Sequence, residues 1–160
     1  MITINISDAP TVTNLNTIAG RTGGVVTADL GNKHSINDNL TNLTTSSTDE
    51  ITMNITDNPT ISNLNSILGK TAGPVTATLE AAADSDLLAL TTGNMLATDI
   101  ITIQISGTTN VTNLNTISEK TGGVVTANLG SKTTTQLQSL NTASTDVITI
   151  EISNTPSITA

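Results

Sequence analysis

Val12-Thr13-Asn14-Leu15-Asn16-Thr17-Ile18 recurs without a change as Val111-Thr112-Asn113-Leu114-Asn115-Thr116-Ile117, and as the close variant Ile61-Ser62-Asn63-Leu64-Asn65-Ser66-Ile67. Extended outward, the match covers residues 2–24, 51–73 and 101–123 without a gap, and the first and third segments agree at fifteen of twenty-three positions. Self-similarity at a fixed period is the signature of repeat architectures, so the chain divides into stacked coils rather than one irregular domain. These segments are A coils. Between them lie B coils, 25–50, 74–100 and 124–147, more variable inside but each opening near Val-Thr-Ala and closing with Thr-Asp, and a further A coil starts at residue 148 and runs to 160.

Each coil opens on alternating apolar and polar residues, as in Ile2-Thr3-Ile4-Asn5-Ile6 and Val26-Thr27-Ala28-Asp29-Leu30, the pattern of a strand buried on one face. Placing the seven candidate strands in one register aligns Thr3, Thr27, Thr52, Thr76, Thr102, Thr126 and Thr149, separated by 24, 25, 24, 26, 24 and 23 residues. Such a spacing suits a strand plus a crossover, so the strands should run parallel. In the A coils Val12, Leu15 and Ile18 have helical spacing, and the segment ends in Gly. The B coils carry Leu40 with Leu43, Leu87 with Leu90 and Leu137 with Leu140, and Glu80 to Leu90 is alanine-rich, which predicts helices there too.

Crossovers of one hand place all helices on one face of the sheet and leave the other to water. The expectation is an α/β solenoid: a one-layer parallel sheet of about seven strands with short helices on one face, curved with its strands inward. An all-β helix is the alternative, and the alanine-rich B coil argues against it. The chain has 160 residues, 36% of them apolar, and no Phe, Tyr or Trp, so its interior should be thin and regular.

The charge balance, five basic residues against thirteen acidic, gives −8 and excludes nucleic acid and anionic membranes as favoured partners. Absence of Cys removes disulfides and thiol chemistry. Met1-Ile2-Thr3-Ile4 begins no basic or long apolar stretch, which reads as no signal peptide and no membrane insertion; an export signal is expected outside these residues.

Catalysis needs different residues converging in one cleft, whereas here the polar residues recur in columns, which points to no enzyme, no catalytic residue and no cofactor. Arg21, Lys70 and Lys120 share one A position and Lys33 and Lys132 one B position, read as cations at a helix end or strand end. Asp49, Asp99 and Asp146 precede the A strands, where Asp satisfies turn amides; equivalent positions two coils apart are too far to share one calcium, and no metal site is expected. His34 stands alone and is read as a surface residue. The threonine column is the one candidate active surface, an exposed sheet-face rank, although Thr also simply suits an exposed strand.

Asn-Leu-Asn-Thr-Ile and Gly-Gly-Val-Val-Thr-Ala, in repeats rich in Thr, Asn, Ser and Asp, resemble the tandem arrays of very large cell-surface or secreted, adhesin-like proteins of bacteria, particularly cyanobacteria, over essentially the whole chain. The resemblance implies an extracellular or cell-surface location and a structural role as spacer, filament or adhesive scaffold. The alternatives are a sheet face that holds a ligand such as a carbohydrate, a cation or ice, and a designed or consensus-derived scaffold without a natural role. Open strand edges at Ile2 and Ile148, without a polar capping repeat, lead to an expectation of end-to-end self-association.

Overall fold

In a computed structural model residues 2–91 and 98–153 are described. Seven strands, β1 (Ile4–Ile6), β2 (Val26–Lys33), β3 (Glu50–Ile55), β4 (Val75–Thr78), β5 (Ile100–Thr108), β6 (Val125–Lys132) and β7 (Val147–Ile152), form one sheet. Every adjacent pair is parallel and the spatial order is the chain order. The α/β class and the all-parallel sheet expected from the alternating segments are therefore present.

The A coils form eight-residue helices, α1 (Val12–Ala19), α2 (Ile61–Leu68) and α4 (Val111–Ser118). Asn and Thr are mediocre helix formers, and each helix begins with an N-cap that offsets this: Thr11, Thr60 and Asn110 accept the amides of Asn14, Asn63 and Asn113. Gly20 and Gly69 are the C-caps of α1 and α2, and the later glycines of each A coil lie beyond the helix. Gly24, Gly73 and Gly123 lie against the first residue of the A coil, where a Cβ would come within 2.1 Å of backbone at Ile2, 2.4 Å at Ile101 and 2.6 Å at Ile51. Only glycine permits that approach.

The B coils are less helical than their composition predicts. The Leu40–Asn42 segment is one 3₁₀ turn, α3 covers only Asp84–Leu87, and α5 only Thr134–Leu137. Across the alanine run, Ala82 bridges Ile105: its amide bonds to the Gln104 carbonyl at 3.3 Å and its carbonyl accepts the Ser106 amide at 2.8 Å. Two ladder bonds to β5 hold the backbone extended where local propensity favours a helix.

Alternate strand residues (Val26, Ala28 and Leu30; Ile51, Met53 and Ile55; Val75, Ala77 and Leu79; Ile101, Ile103 and Ile105) join Leu15, Leu64, Ile67, Leu114 and Ile117 of the helices in one apolar cluster. The intervening strand positions face water, so the helices cover one side of the sheet. Bulk in this aromatic-free core alternates across the ladder: Ala28 sits between Ile6 and Ile51, Ala77 beside Ile101 and Ala127 beside Ile148. A-type strands contribute the large residue and B-type strands the small one, which lets neighbouring layers interdigitate.

Candidate functional site

The sheet face expected to carry the threonine rank is solvent-facing, but the threonines do not stand opposite one another as a single register requires. Thr27 lies between Asn5 and Glu50, Thr52 beside Asp29, Thr76 between Asn54 and Ile100, Thr126 between Gln104 and Val147, and Thr149 beside Asn128. Only Thr102 has a threonine opposite it, Thr78. Thr3 precedes β1, and the register that pairs Ile4 with Val26 carries it past Thr27. Each strand is offset by two residues from the alignment of threonines, so successive members lie on a diagonal about 8 Å apart rather than the roughly 4.8 Å of a straight rank.

Two devices set this stagger, and both belong to polar columns. In the first, the Thr22, Thr71 and Thr121 hydroxyls lie 2.7–2.8 Å from the carbonyls of Ile2, Ile51 and Ile101 and accept the amides of Gly24, Gly73 and Gly123. Thr71 and Thr121 also accept the amides of Ile51 and Ile101. Each Thr-x-Gly thus clamps the start of a B strand onto the A strand before it, with the glycine in contact with its backbone. In the second, the Asp49, Asp99 and Asp146 carboxylates accept the amides of Val26, Val75 and Val125, each at 2.8 Å. Asp49 and Asp146 also accept amides of their own turns, from Ser46 and Ala143. The aspartate column satisfies turn amides, as its position suggests, and in addition ties each turn to the preceding strand.

A third column was not singled out from the sequence. The side-chain amides of Asn16, Asn65 and Asn115 donate to the carbonyls of Asn42, Ala89 and Ser139 and accept the amides of Thr44, Thr91 and Asn141. Each is a two-bond bridge from an A helix to the next B coil, taking residues n and n+2 as a neighbouring strand would. The signal available was the invariant second Asn of Asn-Leu-Asn.

Two of the cations also turn to backbone. Lys120 lies beyond α4, and its Nζ donates to the carbonyls of Leu88 at 3.2 Å and Leu90 at 2.7 Å; Lys132 Nζ donates to the Leu129 carbonyl. Arg21, Lys70 and Lys120 each follow directly on the C-cap of α1, α2 or α4, so the column stands at the helix ends, one position beyond the last turn proper.

His34 lies beside a cluster that superficially resembles a nucleophile, base and acid. Ser35 donates both its amide, at 2.8 Å, and its hydroxyl, at 2.7 Å, to Asp57, while His34 Nδ1 is 3.9 Å from the same carboxylate. The serine is bound to the acid and has no base of its own, so the order is wrong for an activated hydroxyl. Burial pushes the Asp57 carboxyl up, but the Ser35 amide and hydroxyl, the Asp57 amide and the nearby imidazole outweigh it and hold the carboxyl below the usual value. Asp84 is likewise held low, by hydrogen bonds from Asn113 and Thr109 that exceed the opposing effect of burial.

An open groove of about 470 Å³ lies between the end of α1 and the turn before β3, lined by Ala19, Thr22, Thr44, Ser46, Thr48 and Asp49. It has no base or cation in its wall, and both carboxylate oxygens of Asp49 already accept amides. Among the described residues no three His, Asp or Glu side chains gather to hold a metal ion, and no helix is long and apolar enough to cross a membrane.

No protein-family model matches this chain, nor does any curated protein or solved structure.

Proposed function

We propose that this chain is a structural tandem-repeat segment, an α/β solenoid that acts as spacer, filament or adhesive scaffold in a large bacterial surface or secreted protein, and that it is not an enzyme. One observation carries the reading: the recurring polar columns are consumed by the architecture. The clamp threonines, the turn aspartates and the bridging asparagines all bond to backbone of a neighbouring coil. Repeated residues that each tie coil to coil give a stiff stack whose length scales with copy number, which suits a spacer. The extracellular or cell-surface location rests on the compositional resemblance to such arrays. Self-association belongs to the same reading, with β1 and β7, the outermost strands of the sheet among the described residues, as the places where copies would meet.

A thermal melt followed by far-ultraviolet circular dichroism, in the presence of calcium, of chelator and of a panel of oligosaccharides, tests the proposal. A ligand at a hundred times its Kd stabilises by about 2.7 kcal/mol, which for a chain of this size raises Tm by roughly 5–10 °C. The scaffold reading expects melts that coincide within about a degree; a shift of several degrees with any of these additions overturns it in favour of a ligand-binding face.

A further inference from the structure

We infer that the groove between the end of α1 and the turn before β3 is a binding site for a small organic cation, whose primary ammonium takes a place at the Asp49 carboxylate that the protein fills elsewhere. The repeats themselves show what is missing there. In the third A coil and the B coil after it, Asp146 receives three donors: the Val125 amide on Oδ1 at 2.8 Å, and on Oδ2 the Ala143 amide at 3.0 Å and the Ser118 hydroxyl at 2.6 Å. Asp49 repeats the first two, with the Val26 amide at 2.8 Å and the Ser46 amide at 2.7 Å. The third is gone, because Ala19 stands where Ser118 stands. In the second A coil the same place holds Leu68, which is only 1% exposed. Of the three residues alanine alone neither donates nor fills, and Ala19 and Asp49 both line the groove of about 470 Å³.

The surroundings set the class of ligand. An ionised carboxylate only accepts, with about two places on each oxygen, so the Oδ2 place that Ser118 fills in the third A coil calls for a donor. Asp49 is 5% exposed, and among the described residues no Lys, Arg or His pairs with it. A carboxylate so far withdrawn from water gains more from a charged donor than from a neutral one. The C-terminal end of α1, at Ala19 and Gly20, also lines the groove, and the negative end of a helix favours a cation.

Nothing positive in the wall opposes such a ligand. Arg21 does not line the groove, and its counterpart Lys120 turns to Leu88 and Leu90 of the preceding coil rather than to the following one. A single water needs only roughly 10–15 Å³, so the space admits a molecule with a carbon body. The Ser46 and Thr48 hydroxyls, 2.9 Å apart in the same wall, are further acceptors for an ammonium. A bare divalent ion fits less well, because it takes several oxygen ligands and no three His, Asp or Glu gather among the described residues. The site rests on one pair of coils and does not depend on the scaffold reading.

The test titrates 1,4-diaminobutane into the isotopically labelled full chain at about 0.15 M salt, which screens diffuse attraction to a net charge of −8. The same titration with 1,4-butanediol, equal in length but uncharged, is the control. Amide shifts at residues 19–24 and 44–49 should saturate with the diamine at a Kd of about 1 mM or below, and the diol should bind at least about tenfold more weakly. Ala19→Ser supplies the donor as the third A coil does, and Ala19→Leu fills the groove as the second does. Each is a residue that the fold already holds at this place, so both chains should keep the circular dichroism of the parent and bind the diamine at least about tenfold more weakly. No saturable shift, binding of the diol as tight as that of the diamine, or undiminished binding by either folded variant would each overturn the inference.

Discussion

Replacing Thr71 by Val removes one hydroxyl without changing side-chain volume, and it strikes the clamp that joins β3 to β4. Thr71 is 4% exposed; its Oγ1 accepts the Ile51 amide at 2.8 Å and the Gly73 amide at 2.7 Å and lies 2.7 Å from the Ile51 carbonyl. Valine leaves two amides and a carbonyl at a buried place with no alternative partner in the clamp. At about 1–3 kcal/mol for each stranded amide, Thr71→Val should cost roughly 2–6 kcal/mol, a large share of the stability of a domain. Thr71→Ser, which keeps the hydroxyl, should recover most of the loss. Thr76→Val, a change of the same chemistry on the open face, should stay within about 0.5 kcal/mol of the parent. Urea unfolding should be followed by far-ultraviolet circular dichroism, because a chain without Phe, Tyr or Trp has no intrinsic fluorophore. Equal effects of Thr71→Val and Thr76→Val would refute the reasoning, since the clamp threonines and the face threonines would then be energetically alike.

Asn65→Ala removes both bonds of one bridge, to Ala89 and Thr91, and should cost about 1–2 kcal/mol because water reaches these exposed groups; hydrogen exchange should show the Thr91 amide losing protection first. Leu64→Ala empties a fully buried position of α2 and should cost about 2–5 kcal/mol by urea unfolding. Acid should also destabilise the fold in a defined window. Asp57 and Asp84 titrate lower in the folded chain than the ordinary 3.8, so their contribution is complete above that value and is lost as pH falls below it through the folded-state values. The urea midpoint should therefore fall between about pH 5 and about pH 2, and less steeply in Asp84→Asn.

Much of this fold was legible in the residues. Alternation at Ile51-Thr52-Met53-Asn54-Ile55 and the helical spacing of Ile61, Leu64 and Leu68 mark local structure that tertiary contacts then reinforce. The register was not legible from threonine, because a two-residue slip keeps every side chain on the same face and threonine occurs on both sides of the offset. What fixes it is long-range: a glycine too close to Ile51 for a side chain, and the Asp49 carboxylate on the Val26 amide. The alanine run misled for a related reason, since Ala82 gives up its helical propensity to two bonds with β5. The bridging role of Asn65 was hidden because a polar residue on a short helix reads as solvent-facing until the next coil is in place.

The central claim, a parallel stack staggered by two residues per strand, can be tested with paired cysteines in a chain that has none of its own. Thr27 and Glu50 stand opposite each other, so Thr27→Cys with Glu50→Cys brings the two Cα atoms within the roughly 4.4–6.8 Å that a disulfide spans. Thr27→Cys with Thr52→Cys, the pair that a straight threonine rank would bring together, leaves them about 8 Å apart. Mild oxidation with counting of free thiols should close the first pair and leave the second reduced; closure of the second pair in place of the first would contradict the stagger and the clamps that produce it.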